Sequence, residues 1–453
     1  MRRSDARRTD REIWTLAWPV ILSQVLASAV SLIDIAMLGR LGPNTLAAVG
    51  YVTQFFWLSH AVLMAVGVAG VALMARAIGG GDPARARAAL GGCLAVALAV
   101  STAIAGIVLA APRPILGLLN ASPDVIETAL PYLRLMMLST LLFAVSITLE
   151  SGFRAARDTR TPLWIALVVT LVKTLLNALL IFGLGGLPAL GLVGAGLATL
   201  AAQLVAIALL VGASRRSELR PALGFGLRDL ARARAELGAV ARIATPAVLE
   251  RVVLNLALMD YFALLGHYGA SALAAYTVGV RMMSFSWIPG IGFSAAAATL
   301  VGHALGARDP GAATRAGWRA VRFAMTVSVV LGIAFALARG PIARLFTDDP
   351  GVLAALGPFM LTLALTQPLL GLHFTLSGAL RGAGDTVSPL LAAAIGNWAF
   401  RVPLAYAFTR LDLPVLWMWL ALVFDHVARA AWVMVAFARG RWRERAAAAL
   451  APR

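Results

Sequence analysis

Residues 18–39 read WPVILSQVLASAVSLIDIAMLG, from Trp18 to Gly39. The stretch is apolar and long enough to cross a hydrocarbon core as a helix. It carries Pro19 near its start and a single carboxylate, Asp34, near its end. A proline inside a helix removes a backbone hydrogen bond and bends the axis. A carboxylate at bilayer depth is costly, so it marks a functional site unless something plainer explains it. The plainer explanation is an interfacial position, because roughly 7 Å of helical rise separates Asp34 from Gly39.

The rest of the chain is built in the same way. Its 453 residues are 60% hydrophobic and 13% charged, against about a quarter charged in a soluble globular chain. Mean hydropathy is +0.84. Apolar runs fall at about 12–38, 46–78, 88–111, 125–151, 162–183, 191–213, 238–266, 272–305, 316–338, 353–380, 389–409 and 414–438. Each is long enough to span a bilayer. They predict an all-α integral membrane protein with twelve transmembrane helices.

The net charge of +18 belongs to topology. Arg2, Arg3, Arg7, Arg8 and Arg11 precede the first span, and Arg76, Arg85 and Arg87 surround the second connection. Arg154, Arg157 and Arg160 form the fourth; Arg215, Arg216, Arg220, Arg228, Arg232 and Arg234 crowd the sixth. Arg308, Arg315, Arg319 and Arg322 follow the eighth span, Arg381 the tenth, and Arg439, Arg441, Arg443 and Arg445 the twelfth. The alternate connections hold little beyond Arg40, Arg113, Arg339, Arg344 and Arg410. This every-other-loop bias is the positive-inside pattern, and it predicts cytoplasmic termini in a bacterial inner membrane. The positive charge is expected to meet anionic lipid, not nucleic acid. Cys93 stands alone, which excludes a disulfide framework or a cysteine metal site. Ala27-Ser28-Ala29 imitates a cleavage site, but the apolar run continues well past it, so the first span is read as uncleaved.

The chain is also duplicated. Pro19 and Pro246 lie 227 residues apart, and the same offset relates Gly39 to Gly266 and Asp82-Pro83 to Asp309-Pro310. It holds again for Pro131 with Pro358, Arg154 with Arg381, Asp158-Thr159 with Asp385-Thr386, and Pro162 with Pro389. Such a register predicts a cytoplasmic tail at 1–11, a six-helix bundle at 12–213, a cytoplasmic linker at 214–237, a second bundle at 238–438 and a tail at 439–453. An even number of spans per half makes the repeats parallel, related by a pseudo-two-fold axis along the membrane normal, as in carriers that work by alternating access. The repeated Asp-Pro and Asp-Thr turns are expected to be structural, with Thr161-Pro162 and Ser388-Pro389 as N-cap and first helical residue. The remaining reading for Asp158 and Asp385 is an ion pair with an arginine of the opposite half.

Within that frame stand Leu273-Ala274-Ala275-Tyr276, Arg281, Ile288-Pro289-Gly290-Ile291-Gly292-Phe293-Ser294, Ala304-Leu305-Gly306-Ala307-Arg308-Asp309-Pro310 and Gly378-Ala379-Leu380-Arg381-Gly382-Ala383-Gly384-Asp385-Thr386. Together with the doubled six-span unit, these motifs resemble the multidrug and toxic compound extrusion (MATE) family, NorM-like branch, over essentially the whole chain. The resemblance implies an efflux antiporter that exchanges amphipathic or cationic drugs for H⁺ or Na⁺. It implies that the first helix bends at Pro19, with Pro246 as its counterpart, and that Asp34 takes the coupling cation. The family adds an asparagine and an aspartate on the fifth span and a threonine on the sixth. Asn177 and Thr199 match, while Ile181 stands where the second carboxylate belongs. Leu254 stands near the family's seventh-span carboxylate and the tenth span is uncharged, so no second site is carried over.

The residues themselves then weigh the coupling ion. Na⁺ requires several oxygen ligands, and one carboxylate with an amide and a hydroxyl is a sparse set. A proton requires only one group whose affinity changes between wet and dry surroundings, so H⁺ is preferred over Na⁺, with no metal expected beyond Na⁺ at Asp34. Lys173, the only lysine of the chain, lies one turn before Asn177 on the same helix face. It is expected to pair with Asp34 or to compete with the incoming cation. Gln24 lies between Pro19 and Asp34 as a cavity residue or a helix–helix hydrogen bonder. Glu250 is read as an arginine partner before a proton carrier. Asp260, next to Tyr261, the repeat-mate of Asp34, is the second titrating candidate. His60, His303, His373 and His426 show no metal spacing; Asn397, Arg401 and Pro403 are expected to satisfy kinked backbone or to face the cavity. Trp57, Met64, Met282, Met283, Phe285 and Trp287 offer an adaptable drug surface, or simply packing.

Competing functions are a lipid or lipid-linked precursor flippase of the wider superfamily and a membrane-embedded enzyme. The enzyme is disfavoured because no GxxxxGK[ST] loop, HExxH pair or soluble domain is present. No cofactor is expected, the partners are drug-like small molecules and membrane lipids, and nothing requires more than a monomer.

Overall fold

The computed structural model describes residues 3–186, 188–216, 218–224, 226 and 229–448. Arg2, Arg228 and the end of the carboxy-terminal tail lie outside the described residues. Among those described, the chain is all-helical and contains no strand. The long helices are α1 (Arg3–Gly39), α2 (Pro43–Gly79), α3 (Pro83–Ala110), α4 (Pro123–Ala155), α5 (Arg160–Phe182) and α6 (Gly191–Ser214). The second set is α7 (Leu230–Leu265), α8 (Ala270–Gly306), α9 (Pro310–Arg344), α10 (Pro350–Gly382), α11 (387–410) and α12 (Leu416–Arg439). The halves copy one another closely in length: α2 and α8 both have 37 residues, α4 and α10 both 33, and α6 and α12 both 24.

Ten of the twelve are long and apolar enough to cross a membrane by length and composition alone. The other two fall short for identifiable reasons. Charged Arg242, Glu250, Arg251 and Asp260 lower the hydropathy of α7. A π turn, Ile395–Arg401, divides α11 between Val387–Ala394 and Val402–Arg410. Such widened turns are rare and concentrate at functional positions.

Local chemistry explains where the helices begin. Five open on proline at the first turn, where the missing N–H has no helical partner in any case. Asp82 accepts from Arg85 N at 2.9 Å and Asp309 from Ala312 N at 2.7 Å, so the repeated Asp-Pro turns are N-caps. At the Asp-Thr turns the N-cap positions are Thr159 and Thr386, and the carboxylates just before them, Asp158 and Asp385, accept from Thr161 N at 2.9 Å and Ser388 N at 3.0 Å. The helices therefore begin earlier than the expected Thr161 and Ser388 caps, because a carboxylate is the stronger acceptor. Left-handed turn positions also recur at the repeat offset, with Gly81 (φ 73°) matching Arg308 (φ 59°) and Gly384 (φ 79°) matching Arg157 (φ 62°). Each half thus holds one glycine and one arginine in a conformation that costs an L residue about 1–2 kcal/mol.

The chain divides into two compact units, 22–244 and 1–21 with 245–453. These are cut differently from the bundles 12–213 and 238–438. The cuts fall within continuous helices, between Ile21 and Leu22 of α1 and between Ala244 and Thr245 of α7, close to Pro19 and Pro246. Packing accounts for both. Ile13, Leu16 and Ala17 are buried with Phe293, Leu300 and Val301 of α8, and Asp10 pairs with Arg319 of α9 at 2.7 Å. In the other unit Val240, Ile243 and Ala244 are buried with Leu63, Val66 and Cys93. Gly92 of α3 lets that stretch close in, since a Cβ there would stand 3.2 Å from Ala233 O. Glu236 pairs with Arg85 at 3.1 Å.

Candidate functional site

In the unit 22–244, Asp34 of α1 meets two side chains of α5. Lys173 Nζ donates to Asp34 Oδ2 at 2.5 Å and Asn177 Nδ2 donates to Asp34 Oδ1 at 2.7 Å. The three come together because Lys173 and Asn177 are one turn apart on α5, so their side chains share a face. Both carboxylate oxygens are occupied, and the ion pair neutralises the charge. The pair is only half-hidden, with side-chain exposures of 19% for Lys173 and 23% for Asp34. Asn177 is buried, and its Oδ1 has no hydrogen-bond partner. That carbonyl dipole is free to face a cation.

The other sequence candidates are placed differently. Thr199 of α6 is buried, but its hydroxyl donates to Ala195 O of its own helix at 2.9 Å and makes no hydrogen bond to Asp34. Gln24 is half-buried one turn before Ser28, whose hydroxyl donates to its carbonyl at 3.0 Å. Glu250 is buried and accepts from Arg381 at 2.5 Å. Asp260 is exposed on α7 and joins no ion pair among the described residues. Its neighbour Tyr261 is fully buried and donates to Met418 O at 2.7 Å. Pro19 and Pro246 lie inside helices that run on unbroken through them. Trp57 and Phe285 are exposed, whereas Met282 and Met283 are buried in the core.

A second ionic cluster, in the unit holding 245–453, centres on a residue the sequence reading passed over. Asp425 of α12 is fully buried and pairs with two arginines. Arg429, one turn later, grips both carboxylate oxygens, Nε to Oδ1 at 2.5 Å and Nη2 to Oδ2 at 2.8 Å. Arg401, at the end of the π turn, reaches Oδ2 and leaves its own buried Nε without a partner. The Arg401 guanidinium also stands 5.7 Å from the centroid of the Tyr261 ring, a cation–π distance. His426 Nδ1 is 2.6 Å from Leu422 O, and Asn397 donates to Ala393 O at 2.7 Å. Gly396 makes the cluster possible, because a Cβ there would collide with Asp425 Oδ1 and lie 2.5 Å from Arg429 Cγ. The signal was present in sequence as Asp425-His426 with Arg429 at i,i+4 inside an apolar run, and His426 is the repeat-mate of Thr199.

A model of the MatE family matches residues 19–179 and again 246–407. The chain belongs to this family. Both MatE segments open on a proline inside a long helix, Pro19 or Pro246, and the first contains Asp34, Lys173 and Asn177. Among relatives, a probable multidrug resistance protein NorM of Thermotoga maritima is 27% identical over 447 residues, covering 96% of this chain and 94% of its own. An FAD transporter of Shewanella oneidensis is 28% identical over 409 residues, covering 89% and 88% respectively. The fold is also that of the Vibrio cholerae MATE transporter VcmN in its bent form, with a TM-score of 0.89 at 23% identity over 98% of this chain and 99% of the other. The protein is thus a NorM-like MATE transporter with the twelve-span fold and not an enzyme.

Proposed function

We propose that this transporter is a secondary active multidrug efflux antiporter, exporting amphipathic or cationic compounds in exchange for H⁺ in preference to Na⁺. The observation that carries the reading is the Asp34 carboxylate inside α1, held by Lys173 and Asn177 at hydrogen-bond distance. A carboxylate at that depth persists because it is paired, and a pair that stays partly open can be exchanged. Sodium fits poorly. Asp34 already has both oxygens engaged, Ile181 supplies no second carboxylate, and Thr199 turns its hydroxyl proton to its own helix. With Asp34, Asn177 Oδ1 and the Thr199 hydroxyl oxygen alone, the ligand set is sparse for a hard cation. The arginine bias of alternate connections supports an inner-membrane protein with both termini in the cytoplasm.

The test is export of a fluorescent cationic dye from proteoliposomes under separate proton and sodium gradients, with Asp34→Asn beside the wild type. Proton-driven export that disappears in Asp34→Asn is expected. Undiminished export by the variant would remove Asp34 from coupling, and dependence on sodium alone would reverse the ion. Because one relative carries the name of an FAD transporter, FAD belongs in the same assay as a competing anionic substrate.

A further inference from the structure

The chain has 39 basic residues apart from histidine, and Lys173 is its only lysine. Every other cationic position uses arginine, including the buried partners of Asp425. The two residue types differ in one respect that matters inside a membrane. A guanidinium stays protonated in proteins, whereas an ammonium can surrender its proton when another cation takes its counter-charge. Histidines apart, the one basic side chain able to cycle is the one that touches Asp34.

We propose that the exchanged proton is carried by Nζ of Lys173, and that a monovalent amphipathic cation drives it off by taking the Asp34 carboxylate. This rests on the proton-antiport reading above and names the atom that carries the proton. At rest Asp34⁻ and Lys173-NH₃⁺ form a neutral pair. A cation arriving from the cytoplasm takes the carboxylate, with the unpartnered Asn177 Oδ1 dipole beside it. Lys173 is then an ammonium that has lost its counter-charge and stands beside a second cation, and like charge favours its neutral form. One N–H bond of Nζ breaks, its electron pair stays on nitrogen as the neutral amine, and the proton passes to cytoplasmic water. On the outer side a proton from water bonds to Nζ, the ammonium reclaims Asp34, and the cation leaves. One cation moves out for one proton moving in, and the site is neutral in both loaded states.

Among the described residues, few titratable groups stand near the pair; α2, packed on Leu38 of α1, brings Tyr51 to that apolar cluster. Lys173 faces Asp34 from α1 and shares its own helix with Asn177. Residues 22–33 and 35–39 of α1 carry no charge, and neither does α6, against which α5 packs. On α4 the Tyr132 phenol lies within electrostatic range of Asp34, and Arg134 is exposed.

The test uses purified full-length protein in weakly buffered detergent solution, with ethidium as the cation and a soluble indicator reading released protons. Wild type is expected to release a proton for each ethidium bound. Lys173→Gln is expected to keep ethidium binding and lose the release. Lys173→Arg preserves the ion pair and so tests the idea without endangering the fold; proton-driven ethidium export in proteoliposomes is expected to be lost. Release that persists in Lys173→Gln, or wild-type export by Lys173→Arg, places the proton elsewhere and overturns the proposal while leaving antiport intact. A wild type that neither releases protons nor exports under a proton gradient overturns both readings together.

Discussion

The two ionic clusters occupy related places in the repeat yet are built to opposite ends. In the first half Asp34 is held by one lysine and one amide, with about a fifth of the ion pair's side chains open. In the second half Asp425 is held by two arginines, with side-chain exposures of 0% for Asp425, 2% for Arg401 and 8% for Arg429. The carboxylate has moved from the first helix of its half to the last: Tyr261 replaces it at the α1-equivalent position and is pinned to Met418 O. Bidentate arginine pairing sealed from water is hard to open, and a lone lysine pair with access to water is easy. The difference teaches that duplication supplied the scaffold twice but a water-accessible carboxylate pair once, with the second half's carboxylate sealed between two arginines.

The largest expected effect tests the sealed cluster. Asp425→Asn leaves two buried guanidiniums without their carboxylate, a loss of about 3–5 kcal/mol. Thermal unfolding of the purified protein in detergent should show a steep drop in melting temperature, and an unchanged one would mean the cluster is not what holds these helices. Gly396→Ala comes next. Its Cβ meets Asp425 and Arg429, and overpacking of this kind costs about 1–3 kcal/mol. The same melting experiment should rank it below Asp425→Asn, and the reverse order would contradict the assigned centre of the network.

Much of this was legible in the chain. The 227-residue offset gave the repeat, and the matched helix lengths and turns follow from it. The meeting of Asn177 with Asp34 was implied by the family resemblance, and Lys173 joined it as a candidate because it lies one turn before Asn177 on the same face of α5. Thr199 was less legible, since a hydroxyl in a helix can satisfy itself on the preceding turn, as it does on Ala195 O. Asp425 was missed because its repeat-mate, Ala198, is apolar, so comparing the halves concealed it. The exchanged helix beginnings, with 1–21 in one compact unit and 230–244 in the other, depend on tertiary packing around Phe293 and Val240 that hydropathy does not encode.

Smaller effects sharpen the contrast at the repeat-mates themselves. Tyr261→Phe removes one hydrogen bond to Met418 O and should cost about 1 kcal/mol, measured again by melting. Transport should survive, because Tyr261 is buried away from exchange; loss of transport at preserved stability would give the second half an active part. Asp34→Asn should have the least effect on stability, about 1 kcal/mol or less, because a pair reached by water contributes little. Lys173 in the variant remains within reach of solvent, so its charge is not stranded as those of Arg401 and Arg429 are in Asp425→Asn. A near-native melting temperature together with abolished dye export would separate the two clusters cleanly, since one carboxylate could then be removed at the expense of function and the other at the expense of the fold. If Asp34→Asn instead melted as early as Asp425→Asn, the first cluster would be a structural brace like the second, and the proposed exchange at Lys173 would lose its physical basis.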